Sequence, residues 1–264
     1  MVYKSGTYSD FVNLDSDAEP FHTKPLREGM LLAESAMDRV AATAGSRRER
    51  AKGERRARIV RATYDLLRDV GVEALSMKAV AARAGVSLST VYNLFDSKQE
   101  VLARVFDQDL AHFESLVAAA PARDVLDRIF DALDIAADLY EADPAFYRAI
   151  LWRRPSGGGE LRLEATLREP RVAFWRTMVA AAVREGWLRR GVDPAVVGAL
   201  MIQISGGVLG DWIAGDITIG TLRRELKLGF AAALHPFATR AAAPRLRDLI
   251  ARLHRELSRA RNRR

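Results

Sequence analysis

The sequence predicts an all-α fold, and three observations lead to that prediction. Apolar residues recur every three or four positions along most of the chain from residue 56 onward, which is the period of a helix with one buried face. Ser, Asp-Pro and Gly stand where such helices would begin and end. No segment combines period-two alternation with flanking turn residues, as a half-buried strand would.

The helices can be placed in order by these start and stop residues. A first helix covers residues 56–70 and ends at Gly71, and Ser76, Ser87 and Ser97 are N-cap candidates for the next three. We expect one later helix at 122–141 and another that starts at Asp143-Pro144. Two helical pieces follow, which are separated at Glu169-Pro170 and end at Gly191. The last three helices are expected from Asp193-Pro194 to Asp211, at 218–235 and at 244–260. Pro155 to Gly159 is expected to form a loop.

Composition excludes several classes of protein. The chain has 264 residues, 49% of them hydrophobic, which is enough to bury a core, and it has no cysteine. A disulfide scaffold, a zinc finger and a cysteine nucleophile are therefore excluded, and a reducing, cytoplasmic location is expected. The longest uncharged stretch, residues 195–210, is shorter than the roughly 20 residues of a membrane helix, so no membrane partner is expected.

The net charge of +7 is concentrated in two segments. Residues 47–61 hold eight basic residues against two acidic ones, and residues 240–264 hold nine arginines against two acidic residues. Clustered arginine favours a polyanionic partner such as nucleic acid, although a charged segment taken alone is more often a solvated surface or tail.

These features divide the chain into four parts. Residues 1–46 are polar and weakly patterned, and we expect a largely disordered N-terminal extension. Residues 47–103 hold the basic arm and the first, short helices, 104–240 form a longer helical region, and 241–264 are a basic C-terminal helix and tail.

The segment 77–96, MKAVAARAGVSLSTVYNLFD, has the pattern of a helix-turn-helix. Ala81 is small enough for two helices to approach closely, and Gly85 can adopt the positive φ of the turn. Val91 and Leu94 are apolar where the second helix must pack on its neighbours. Any αα-corner with a glycine turn would share part of this pattern, but the basic run at 47–61 favours DNA binding.

From about residue 56 to 102 the chain closely resembles the TetR family of bacterial transcriptional repressors. The resemblance is carried by residues 71–76 (GVEALS), 80–87 (VAARAGVS), 89–98 (STVYNLFDSK) and Leu102, and more weakly by 184–188 (REGWL) with Asp193-Pro194. It implies a homodimer in which a helix-turn-helix bundle reads DNA and a larger helical domain binds an inducer. The 46-residue leader and the arginine-rich tail depart from the family pattern, so no role is carried over to them.

The resemblance and the helical geometry together give candidate DNA-binding residues. Ser89, Thr90 and Asn93 are expected to point outward from the recognition helix toward base edges. The remaining candidates are expected at or near the phosphates: Ser76, Lys78, Ser87, Tyr92 and Lys98, with Arg55, Arg56 and Arg58 of the basic arm. Because the recognition helix has no Arg or Lys, phosphate contacts should dominate the affinity and make it strongly salt-dependent.

The family also implies a ligand pocket, a dimer interface and coupling along the fourth helix. The candidate pocket residues are Phe113, Phe130, Leu133, Tyr147, Trp152, Trp175 and Met178, an apolar set that favours a small hydrophobic ligand. The candidate dimer residues are Leu200, Ile204, Gly207, Trp212, Leu226 and Phe230. Aromatic residues at helical spacing are more often core than pocket. The dimer set could belong to a buried core helix, but the family resemblance favours the dimer.

Other interpretations remain open on the sequence alone. Asp124, Asp127, Asp131, Asp134 and Asp138 lie on one helical stripe, which could hold a hard cation but is more simply a solvated face. No metal site, cofactor or catalytic residue is expected, because the four histidines are scattered and residues 157–159 lack a phosphate-loop ending. A small molecule and double-stranded DNA with a pseudo-palindromic operator are the expected partners. An activator or a partner-gated DNA-binding protein is the alternative, and a helical enzyme is a weaker one.

Overall fold

The computed structural model describes residues 47–151 and 158–261, with the side chains of 48–151 and 168–260. The N-terminal extension, Trp152 and the last three residues lie outside the described residues. Ten α-helices are described, and in chain order they are α1 Arg47–Ala74, α2 Met77–Ala84, α3 Leu88–Leu94, α4 Lys98–Ala119, α5 Val125–Ala142, α6 Pro144–Leu151, α7 Gly158–Arg184, α8 Pro194–Ala214, α9 Ile219–Leu234 and α10 Ala243–Arg261.

The all-α prediction is confirmed. Among the described residues the β-pairing is limited to one isolated bridge between Leu188 and Ala238. The predicted caps are present, since the hydroxyls of Ser76, Ser87 and Ser97 each accept a hydrogen bond from the amide three residues later, at 3.1–3.2 Å. Gly85 has φ +64, as the turn between α2 and α3 requires.

Several predicted boundaries are wrong, including the loop predicted to extend to Gly159 and the helix predicted to end at Gly191, because α7 begins at Gly158 and ends at Arg184. The basic arm is helical, because α1 begins at Arg47 and runs to a kink at Gly71, where φ is +74. Glu169-Pro170 does not divide the next region, since Pro170 lies inside the continuous helix α7, which begins at Gly158 and ends at Arg184. Phe174, Trp175 and Met178, just beyond the proline, are buried in the core, and this packing holds the helix together despite the local cost of the proline.

The long helix α4 belongs to both halves of the molecule. Its N-terminal turns bury Val101, Leu102 and Val105 against α1 and the helix-turn-helix, and its later turns pack on α5 and α7. Helix α6 packs on α1, so the larger helical region contacts the N-terminal bundle at a second place.

Helices α7, α8 and α9 pack unusually closely at two glycines. A Cβ at Gly198 would lie 2.9 Å from the backbone nitrogen of Arg176, and one at Gly229 would lie 2.6 Å from a methyl of Ile204. Any side chain at either position would force the helices apart.

The acidic stripe of α5 is an inter-helix contact, and its interpretation as a solvated face is wrong. Arg245 of α10 donates to Asp124 (2.6 Å) and to Asp127, and Arg223 and Lys227 of α9 pair with Asp134, Arg223 also with Asp138. No cluster of three metal-ligating side chains occurs among the residues that the structure describes. The aspartates therefore hold α9 and α10 against α5.

Candidate DNA-binding surface and ligand cavity

Helix α3 presents one polar face to solvent. Val91 is fully buried and Leu94 is nearly so, which fixes the rotation of this two-turn helix on α1 and α2. On the other side Ser89 and Asn93 are exposed, and Tyr92 is 50% exposed. Thr90, the third residue predicted to face bases, is half-buried at the edge of this face. We call Leu88, Ser89, Tyr92 and Asn93 the reading face.

A small hydroxyl cluster orders the start of the reading face. The Ser87 hydroxyl lies 2.9 Å from that of Ser89 and 2.7 Å from that of Thr90, and it also accepts the Thr90 amide. Ser87 thus serves as the cap of α3. Hydroxyls can rotate to exchange partners, so those of Ser89 and Thr90 keep the capacity to bond to a base or phosphate.

The residues predicted to face phosphates lie in different environments. Ser76 and Lys78 are exposed at the start of α2. Lys98 is half-buried and donates to the carbonyl of Val72 at 2.7 Å, and burial lowers its pKa. Its ammonium group therefore ties α4 to the end of α1 and has only part of its donor capacity left for a phosphate.

The three arginines of α1 that were predicted to bind DNA also differ in their surroundings. Arg58 is exposed and Arg55 is half-buried. Arg56 donates to the carbonyl of Leu94 at 3.1 Å and lies over the ring of Phe95, 5.5 Å from its centroid. A cation at the carbonyl end of a helix stabilises it, so Arg56 supports the recognition helix from behind.

The sequence reasoning missed Leu88. Its side chain is 41% exposed at the first position of α3, where an apolar group could contact a thymine methyl. The helical period hid it, because a residue three positions before the buried Val91 is expected on the same face of the helix.

A cavity of about 780 Å³ lies within the larger helical region, a volume typical of small-molecule sites. Four of the seven predicted pocket residues line it, namely Phe113, Leu133, Tyr147 and Trp175. Phe130 and Met178 belong to the surrounding core and do not line the cavity. Position in the helical period alone does not separate a side chain that lines a cavity from its neighbour that packs behind it.

The cavity reaches the N-terminal bundle. Residues 70–73, at the kinked end of α1, form part of its wall, as do Leu102 and Phe106 of α4. Polar groups occur in the same wall, including Asp109, Arg148, Arg168 and Arg171. A molecule in the cavity would touch the segment that joins α1 to the helix-turn-helix.

Two buried Tyr–Asp pairs lie between the cavity and α1. The Tyr147 hydroxyl donates to Asp109 at 2.7 Å, and burial raises the pKa of Asp109 to about 6. The Tyr64 hydroxyl of α1 donates to Asp143, which also accepts from Arg68 (3.1 Å) and from the amide of Phe146 (3.2 Å). Asp143 thus joins α1 to the start of α6, the helix that carries Tyr147.

Comparison with known proteins identifies the N-terminal bundle. Residues 59–105 match the family model described as bacterial regulatory proteins, tetR family. Residues 59–105 thus contain the N-terminal domain of the TetR family. The match begins in α1 and ends in α4, so it covers the complete helix-turn-helix and the reading face.

Curated relatives agree with this assignment. The transcriptional repressor KstR of Rhodococcus jostii is 33% identical over 115 residues, which are 42% of this chain and 54% of the relative. KstR of Mycobacterium tuberculosis is 37% identical over 65 residues, or 25% of this chain and 30% of that protein. The chain thus matches about half of the first relative and less than a third of the second.

Solved TetR-family structures share the fold across the described region. Thermus thermophilus FadR, in complex with lauroyl-CoA, superposes with a TM-score of 0.57 at 20% identity, covering 70% of this chain and 96% of FadR. TylP of Streptomyces fradiae gives 0.56 at 20% identity, covering 79% and 93%. At such identities the likeness shows the fold, including the helical region after the helix-turn-helix.

Helix α8 leaves an apolar face open, and the predicted dimer residues divide around it. Val196 is 65% exposed and Leu200 is 44% exposed, Ile204 is half-buried, and a Cβ at Gly207 or Gly210 would meet nothing within 4 Å. Trp212, Leu226 and Phe230 are instead buried within the subunit. These three do not lie at an open surface: Leu226 and Phe230 belong to the stripe of α9 that packs inward, and Trp212 of α8 stacks on Tyr140 of α5.

By length and composition α8 is also apolar enough to cross a membrane, since its most apolar stretch has a mean hydropathy of 1.5. Within the protein 22% of that stretch is buried. It is the one such helix among the described residues. Its exposed residues are Ala195, Val196, Leu200, Gln203, Gly207, Gly210, Asp211 and Ala214. All of them except Ala195 and Asp211 follow the three-four spacing of a helix that packs against another helix.

Proposed function

We propose that this chain is a homodimeric, sequence-specific DNA-binding transcriptional regulator, a repressor that a small and mainly hydrophobic molecule releases from a palindromic operator. The reading face carries the proposal. Its four residues stand exposed on a short helix that three serine caps, Gly85 and Arg56 hold in place, which is how a recognition helix enters a major groove.

The rest of the surface supports contact with a duplex. Ser76 and Lys78 are exposed at the start of α2, and Arg58 is exposed on α1. Polar and cationic groups that flank a recognition helix bind the phosphates and set its orientation. Because the reading face itself has no charged residue, these contacts would supply much of the affinity.

A dimer would use the open face of α8. A single two-turn helix contacts too few bases for useful specificity, whereas a two-fold dimer reads two half-sites about 34–36 Å apart. Gly207 and Gly210 would let two copies of α8 approach closely, and Val196 and Leu200 would be buried between them. The same contact removes an exposed apolar surface that would be unfavourable in water.

The cavity would receive the effector, and its walls suggest how binding is communicated. A molecule there touches residues 70–73 of α1 and the N-terminal half of α4. The Tyr147–Asp109 and Tyr64–Asp143 pairs connect the cavity through α6 to α1. If the ligand prefers one arrangement of these helices, it shifts the distance between the two reading faces.

The relatives support the direction of regulation. The matched KstR proteins are named transcriptional repressors, and the FadR structure, also described as a repressor, holds lauroyl-CoA, a molecule with a long apolar chain. Both agree with repression relieved by a hydrophobic effector. The sign of regulation also depends on where the operator lies.

Selection from randomised duplexes by the purified full-length chain tests the proposal. We expect an enriched motif made of two inverted half-sites one helical turn apart, bound at least about a thousandfold more tightly than random DNA. Enrichment of a single unrepeated half-site would contradict the dimer. Binding that falls with salt but shows no sequence preference would contradict the regulator.

A further inference from the structure

We propose that the cavity takes an anionic amphiphile, with its apolar body among the aromatic side chains and its anionic group held by Arg148 and Arg171. This inference rests on the proposed function in taking the cavity as the effector site, and it adds the charge of the ligand and its direction in the cavity.

One end of the cavity is aromatic and apolar. The rings of Phe113 and Phe174 lie 5.0 Å apart in its wall, and Trp175, also in the wall, packs on Phe230 at 4.9 Å. Leu133 and Leu226 close the same region. Burying an aliphatic or ring-shaped body here is favourable by about 25 cal/mol for each Å² removed from water.

The other end is cationic. The guanidinium of Arg171 lies over the ring of Phe106, 5.6 Å from its centroid, and that of Arg148 lies over Trp212 at 5.1 Å. Phe106 and Phe113 are seven residues apart on α4, so the two ends are separated by roughly 10 Å along that helix. A ligand with polar and apolar parts would therefore bind in one direction.

Among the described residues Arg148 and Arg171 form no ion pair with a carboxylate, whereas Arg68, Arg223 and Arg245 all do. An arginine stacked on a ring is fixed in orientation while its N–H groups at the edge stay free, which suits bidentate binding of a carboxylate or phosphate.

The carboxylates of the cavity wall do not cancel this charge. Asp109 accepts the Tyr147 hydroxyl, and the field of Arg171 already opposes the rise in its pKa. Glu73 is exposed and has a partner of its own. Against these two carboxylates stand Arg148, Arg171 and the exposed Arg168, so the cationic end keeps a net positive charge.

The direction of binding has a consequence for regulation. Residues 70–73 line the same cavity as the two arginines and immediately precede the helix-turn-helix. Arg148 lies on α6, which packs on α1. An anion that draws Arg148 and Arg171 together would therefore act where the two halves of the molecule meet.

The test compares probes that share one apolar chain. Dodecanoate, dodecanol and dodecyltrimethylammonium, each below its micelle concentration, are titrated into the full-length protein while tryptophan fluorescence, which includes that of Trp175 in the wall, and heat are recorded. Dodecanoyl-CoA is the fourth probe and separates a free carboxylate from a phosphate-bearing thioester as the source of the anion.

We expect at least one anionic probe to bind on the order of tenfold more tightly than the alcohol, and the cation to bind most weakly. Arg171→Gln and Arg148→Gln should each weaken the anion about tenfold and leave the alcohol unchanged. Arg252→Gln, at an exposed position of α10 outside the cavity wall, is the matched control and should change neither.

Equal binding of the three head groups, absence of binding by all four probes, or loss of alcohol and anion binding together in the arginine variants would overturn the inference. Operator binding is measured on the same preparations. If it is intact while the anion preference is absent, the ligand assignment fails and the DNA-binding function stands; if operator binding is also absent, the proposed function fails with it.

Discussion

The reading face and the cavity are built in opposite ways. The reading face is a convex surface on one two-turn helix, and each residue that fixes it lies within a few positions in the sequence or directly behind it, as Ser87, Gly85 and Arg56 do. The cavity is a partly open space lined by parts of α1 and α4 to α9. A function displayed on a surface can be set by local rules, whereas a function held in a cavity depends on how helices distant in sequence pack together.

The largest effect is expected at the proposed dimer face of α8, because the dimer presents two reading faces to the DNA. Leu200→Asp places a charge in the proposed interface, so we expect the variant to sediment at about 29.2 kDa instead of twice that mass. Operator affinity should fall by at least about a hundredfold, because one half-site contact is lost. His254→Asp, exposed on α10, is the control, and a Leu200→Asp protein that stays dimeric would contradict this interface.

A second prediction concerns the cost of a charge beside the cavity. Burial raises the pKa of Asp109 from 3.8 to about 6, so between these pH values the folded state binds more protons than the unfolded chain, and this contribution to stability falls as pH rises. Asn can still accept the Tyr147 hydroxyl without carrying charge. From pH 4 to 7, Asp109→Asn should therefore gain on the order of 2 kcal/mol of unfolding free energy relative to the wild type.

Urea unfolding at pH 4, 5, 6 and 7 measures this difference. Gln99→Asn, at an exposed position of α4, serves as the control and should show no comparable trend, because neither side chain ionises. A difference between wild type and Asp109→Asn that stays constant across this pH range would show that Asp109 is not held in an unfavourable environment.

The sequence predicts the reading face better than the cavity, because the residues that fix the reading face are close together in the sequence. Ser76, Gly85, Ser87 and Asp193-Pro194 are local signals, and the structure confirms the helix starts and the turn that they predict. The continuous α7 across Pro170 and the contacts of the α5 aspartates with α9 and α10 depend on partners that are distant in sequence. No local pattern identifies those partners.

The residues predicted for the dimer interface also show that sequence alone does not identify which neighbours cover an apolar face. Leu200 and Phe230 are both apolar and both lie at helical spacing, yet one is 44% exposed and the other is fully buried. Periodicity indicates that a helix has an apolar face, but it does not indicate whether a neighbour in the same chain already covers that face. Truncation at Ala243, which would remove the basic C-terminal segment, would also remove the buried Leu246 and Leu253. An experiment on whether this segment binds DNA should therefore change the exposed arginines of α10 one at a time.

A third prediction addresses the link between the regions. Tyr64→Phe removes one hydrogen bond to buried Asp143, which keeps Arg68 and the Phe146 amide as partners. We expect a loss of about 1 kcal/mol in unfolding free energy and, with an effector bound, a smaller drop in operator affinity than in the wild type. Thr177→Ala is the control, because it removes a side-chain hydrogen bond at an exposed position of α7 outside the cavity wall. An unchanged effector response in Tyr64→Phe would exclude this link.

The smallest effect is expected at a partly exposed ion-pair cluster that belongs neither to the reading face nor to the lining of the cavity. Asp134→Asn weakens the contacts of α5 with Arg223 and Lys227, whose side chains are 28% and 20% exposed. Because partly exposed ion pairs contribute little, the unfolding free energy should fall by less than about 1 kcal/mol, and less still in 1 M salt. Guanidinium-free thermal unfolding at two salt concentrations measures it, and a loss of operator binding would contradict a purely structural role.

The most direct measurement of the central claim replaces Ser89, Thr90 and Asn93 together by alanine and compares binding to the selected operator with binding to random DNA. The account predicts that helicity and affinity for random DNA are kept, since Val91, Leu94 and the phosphate contacts are untouched, while the preference for the operator falls by at least about a hundredfold. A triple variant that retains the operator preference of the wild type would contradict the assignment of α3 as the helix that reads DNA.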